Sequence, residues 1–161
     1  MPSADSTVLY RAIPPRLKLS TADKRSLRMF ATSLVQQVAP GQCFTCLITG
    51  DRALQDLNRA FLRHDYPTDV LSFPSGCSGP DLGDLAISIE RADAQSREFG
   101  HSLLDELRLL MLHGLLHLTG LDHETDSGAM ARAESKWRAA YDLPTALIAR
   151  SPGKRRSEAA V

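Results

Sequence analysis

Apolar positions recur along this chain with two periods, and the switches between them mark out its elements. Val8, Tyr10 and Ile13 alternate until Pro14-Pro15 breaks the run, which predicts an edge strand. Leu27, Phe30, Leu34 and Val38 then fall at helical spacing behind a cap at Ser20 or Thr21, and Pro40-Gly41 stops that helix. Cys43–Thr49 reads as a strand, and Asp51 as the cap of a helix over about 52–63 that buries Leu54, Leu57 and Phe61. Val70–Phe73 is a short strand stopped by Pro74, Ser75–Pro80 a surface loop, and Gly83–Ile89 a strand with Leu85, Ile87 and Ile89 on one face. A helix over about 90–99 ends at Gly100. Ser102–Leu118 is apolar on nearly every side, the pattern of a central, buried helix. A last helix from about Ser127 to Tyr141 buries Met130 and Trp137. This order predicts an α+β domain, a mixed sheet of about four strands with helices packed on it. The domain is expected over 1–149, followed by a basic, disordered tail over 150–161.

The buried helix carries the chemistry. His113 and His117 lie four residues apart, so both rings leave one face and can point at one ion. Gly120 follows, able to turn the chain through a left-handed conformation and swing His123 back toward the pair. Three imidazoles with no fourth protein ligand describe a zinc site with an open position, the arrangement of a catalyst. The spacing is similar to that of the metzincin peptidases, HExxHxxGxxH, except that Gly114 stands where those enzymes carry a general-base glutamate. Asp122, next to a ligand, can accept an imidazole N–H and fix its tautomer, or can serve as a turn residue. Asp69 and Ser72 can line the cleft or act as turn and strand-edge groups. His64 reads as a solvated loop residue and His101 as the start of the long helix.

Composition narrows the class. The chain has 161 residues with 19 Lys and Arg against 19 Asp and Glu, so its formal net charge of zero argues against a general nucleic-acid coat protein and leaves room for a local basic patch. No apolar stretch is long enough to span a membrane, and Met1–Ser6 lacks a secretory pattern, so a cytoplasmic location is expected. Cys43, Cys46 and Cys77 form no disulfide framework; residues three apart on a strand face opposite sides, and Cys43 and Cys46 read as small hydrophobes.

Three blocks resemble the YbeY family of bacterial metal-dependent endoribonucleases. They are His113-Gly114-x-Leu116-His117-Leu118-x-Gly120-x-Asp122-His123; Leu57-Asn58-x-x-Phe61-x-x-x-Asp65-x-Pro67-Thr68-Asp69-Val70-Leu71-Ser72-Phe73-Pro74; and Leu82-Gly83-Asp84-Leu85. The resemblance implies one zinc per chain on His113, His117 and His123, and cleavage of single-stranded RNA. It also implies a role in 3′-end maturation of small-subunit (16S) ribosomal RNA and in ribosome quality control, with precursor RNA and the ribosome or its small-subunit proteins as partners. The family arginine after the aromatic of the second block is replaced by Leu62. Arg63, one place later, is the first substitute, and Arg59, one turn earlier, the second. A one-residue shift turns a helical side chain by about 100°.

Phosphodiester cleavage needs an activated nucleophile and neutralised phosphate charge. A three-histidine zinc can lower the pKa of bound water to about 7 or act as a Lewis acid, and an arginine fork can take two phosphate oxygens. With Gly114 in place of a glutamate, the base must come from zinc-bound hydroxide, the RNA 2′-hydroxyl or another carboxylate. A metzincin-like zinc peptidase and a non-catalytic, zinc-stabilised ribosome assembly factor are the alternatives.

Overall fold

A computed structural model describes residues 6–62, 68–76, 78–121, 127–144 and 159–160. Four strands build a mixed sheet in the order β1-β2-β4-β3: β1 (Thr7–Tyr10), β2 (Cys43–Thr49), β3 (Val70–Pro74) and β4 (Asp81–Ser88). β1, β2 and β4 run parallel, β3 is antiparallel to β4, and a two-residue β5 (Ala159–Ala160) pairs with β3. The helices are α1 (Thr21–Val38), α2 (Asp51–Leu57), α3 (Ile89–Phe99), α4 (Leu103–Leu118) and α5 (Ala129–Ala140). β1 is an edge strand, as the proline-broken alternation predicts. The rest of the expected tail, and Cys77, lie outside the described residues.

Alternation along the strands gives the sheet two different faces. Phe44, Cys46, Ile48, Leu85, Ile87 and Val70 point to one face and form a single core with α1 and α4. Leu71 and Ala86 point to the other and are covered by Leu54 of α2. α4 lies against β3 and β4, between α1, α3 and α5. Residues 107 and 109–118 of α4 are all buried, which is why the helix carries almost no polar face.

Caps account for the starts of α1, α3 and α4 and for the end of α3. Ser20 and Asp23 form a reciprocal capping box at the start of α1, and Ser102 accepts from the Asp105 amide at the start of α4. Gly100, at φ 74°, ends α3.

Four expectations are corrected. Gly50, not Asp51, caps α2; Asp51 is its first residue, and its carboxylate accepts from Ser88 Oγ at 2.6 Å and Arg91 Nε at 3.2 Å, tying α2 to α3. Residues 58–62 wind as a π-helical turn, whose wider loop breaks the 3.6-residue stripe. Phe61 is consequently 68% exposed, resting edge-on against Phe73, while Asn58 is buried and Leu57 only partly so. Ile89 begins α3, because Ser88 caps that helix by accepting from the Arg91 amide; the strand itself starts earlier, at Asp81. Trp137 is half-buried, and the buried residues of α5 are Met130 and Glu134.

Candidate metal centre

Two of the expected ligands sit on the last turns of α4. The rings of His113 and His117 are 4.9 Å apart, centroid to centroid, at 73°, and both side chains are buried. Fixing them on a helix sunk in the core gives them the rigid support that a metal site requires. Just beyond, α4 ends as expected. Gly120 takes φ 101°, its amide bonds the His117 carbonyl, and the Leu121 amide bonds the Leu116 carbonyl. This pair of bonds is a Schellman motif, and it reverses the chain immediately after the histidines. Asp122, His123 and Arg63 lie outside the described residues.

The partner that sequence reasoning missed is Glu134. Its Oε2 lies 2.6 Å from His113 Nδ1, with both side chains buried. An ionised carboxylate only accepts, so Nδ1 donates to it, and in the neutral imidazole Nε2 is then the lone-pair nitrogen. Histidines that ligate a metal commonly have such a carboxylate behind the other ring nitrogen, and here the ring also stands beside His117. No local pattern announces it, since Glu134 follows His113 by 21 residues on another helix.

Gly114 has a packing reason. A Cβ there would stand 2.7 Å from Leu85 Cδ2 and 3.3 Å from Val70 Cγ2, both in the buried core. The missing side chain lets α4 approach the sheet, and Ser72 Oγ donates to the Gly114 carbonyl at 3.3 Å across that contact. A glutamate at this position would be driven into the sheet. Ser72 and Asp69 are both framework groups: Asp69 accepts from Gln95 Nε2 at 3.1 Å and from the Val70 amide at 2.8 Å.

Arg59 lies on the π-turn, exposed, and pairs with Asp56 at 2.8 Å. His101 precedes the Ser102 cap, and its Nε2 meets buried Glu106 at 2.6 Å, so it is a framework residue and not a ligand. Cys46 sits fully in the core, where burial pushes its thiol up to about 12 and makes it unreactive. Burial and the nearby Asp81 raise Asp84 and Cys43 as well.

Comparison with known proteins decides the family. The family model described as endoribonuclease YbeY matches residues 17–141. The chain belongs to the YbeY family. A relative named endoribonuclease YbeY from Solibacter usitatus is 54% identical over 145 residues, covering 90% of this chain and 94% of its own. One of the same name from Koribacter versatilis is 44% identical over 134 residues, 83% of this chain and 88% of its own. A solution structure of a Thermotoga maritima protein shares the fold at a TM-score of 0.55 and 22% identity, covering 92% of this chain and 99% of its own.

The donor set fits a cation of the YbeY site. Two adjacent imidazoles on one helix face, one with its tautomer fixed by a buried carboxylate, are the right chemistry for a transition metal. Among the described residues no group of three His, Cys, Asp or Glu side chains is arranged to hold an ion, and the third ligand of the pattern, His123, lies outside them. Among the same residues, no helix is long and apolar enough to cross a membrane.

Proposed function

We propose that this chain is a zinc-dependent endoribonuclease that cuts single-stranded RNA. Its proposed setting is the cytoplasm, in 3′-end maturation of small-subunit (16S) ribosomal RNA and ribosome quality control, with precursor RNA and small-subunit ribosomal proteins as partners. The observation that carries the proposal is the buried His113–Glu134 bond beside His117, in a chain of a family whose members are named endoribonucleases.

In this account His113, His117 and His123 hold one zinc per chain. Bound there, the ion would supply Lewis acidity toward a phosphate oxygen and ease deprotonation of a nucleophile. The protein's own share is orientation. Glu134 keeps the proton on His113 Nδ1, and the apolar body of α4 excludes water from behind the rings. Arg63, or Arg59 released from Asp56, would clamp the scissile phosphate through its fork. Asp122, beside His123, would accept an imidazole N–H. Gly114 counts against a peptidase, because general-base help is worth about 10²–10⁴-fold and a Cβ at that position would already meet Leu85 Cδ2 at 2.7 Å.

Purified protein should cut single-stranded RNA in a chelator-sensitive way and leave casein intact, and His117→Ala should lose the cutting. Chelator-sensitive proteolysis would favour the peptidase. Metal-dependent stability with no cutting at any metal load would favour the assembly factor.

A further inference from the structure

Away from the histidines, α1 and the edge strand β1 border two adjoining concavities of about 400 and 240 Å³. Arg28 lines both and stands at their shared border, so the two form one groove-like stretch of surface along α1; Lys24, Arg25 and Tyr10 line one end, Thr32 and Gln36 the other. The groove is strongly basic. Although the chain balances 19 cations with 19 anions, the charged residues that line the groove are Lys24, Arg25 and Arg28, with no acidic residue among the described lining residues. Asp23 is engaged in the capping box with Ser20. Arg25 and Arg28 are exposed, and among the described residues neither has an ion-pair partner. Lys24 Nζ sits 4.8 Å from the centroid of the Tyr10 ring, so an aromatic face and a cation share the floor.

Cations interleaved with an aromatic ring and with amide and hydroxyl groups suit the sugar-phosphate backbone of a single strand. Strand spacing of about 4.8 Å puts β1 three steps, about 14 Å, from β3, and β3 is one of the two strands under α4. Neither His113 nor His117 lines either concavity, so a strand held in this groove is gripped by residues other than those of the histidine pair. We propose that the α1–β1 groove is a second RNA contact, gripping the backbone of the strand outside the histidine pair through Lys24, Arg25 and Arg28. The proposal rests on the endoribonuclease reading for the identity of the polyanion.

The test is the salt dependence of binding, read by fluorescence anisotropy with the metal-loaded full chain and a labelled 2′-O-methyl single strand of about 16 nucleotides. Each backbone contact contributes about 0.7 to the slope of log K against log salt, so Arg25→Gln with Arg28→Gln should lower it by about 1.4. Both sites are exposed and glutamine is a good helix former, so the variant keeps its fold. Arg25→Lys with Arg28→Lys should keep the slope, and so should Arg97→Gln, which removes an exposed cation from α3. A slope unchanged in the glutamine variant, or lowered as much by Arg97→Gln, overturns the groove, as does a wild type that binds no RNA. Wild-type protein that shows the slope yet never cuts unmodified RNA would instead overturn the nuclease and leave the groove standing.

Discussion

At position 114 the absence of a side chain decides both packing and chemistry. A Cβ 2.7 Å from Leu85 Cδ2 would force the packed side chains of a buried helix–sheet contact to shift, and a carboxylate there would also be stranded without water. Gly114→Glu, which restores the peptidase pattern, should cost about 3 kcal/mol or more, read as a lower denaturation midpoint; a wild-type midpoint would show that residue 114 does not face the sheet. The histidine pair and Gly120 are legible in the sequence because their spacing is local: four residues on a helix stack two rings, and a glycine past the last apolar turn ends it. Gly114 stands in the same stretch, yet its reason is not local, since Leu85 and Val70 come from two distant strands. Glu134 is hidden for the same reason. Its proximity to His113 exists only once α5 is folded against α4.

Elements with a clean period were predictable, and the departure comes where the winding changes. α1 and α4 run from serine caps to their expected ends, with Leu27, Phe30 and Leu34 of α1 and the apolar residues of α4 from Leu107 onward inside. α2 starts behind Gly50 with Leu54 under the sheet, and then widens into the turn over Asn58–Leu62. Propensity does not encode that widening, so Leu54, Leu57 and Phe61 look like one stripe although only Leu54 is fully inside. The two ends of the stripe should therefore respond differently to truncation. Leu54→Ala should cost about 2–5 kcal/mol as a cavity mutation, whereas Phe61→Ala should lose only an edge-on ring contact worth about 0.5–1.5 kcal/mol. Thermal unfolding of the two variants checks this, and equal losses would contradict the exposed placement of Phe61. The turn also carries Leu62 and Arg59, the latter held by Asp56.

Across the whole molecule, the parallel strands and their helices serve to immobilise one helix end. α4 is sunk between the sheet and three other helices, so its histidines are held by the core itself, and α5 contributes the carboxylate that fixes one of them. The centre of the account is that this helix end binds a metal ion through oriented imidazoles. Metal content of purified wild type, His117→Ala and Glu134→Gln, followed by competition against a chelator, tests it most directly. The account predicts one zinc per wild-type chain, its loss in His117→Ala, and affinity about 10–100-fold weaker in Glu134→Gln. A full complement of metal in His117→Ala, or none in the wild type after metal loading, would contradict it.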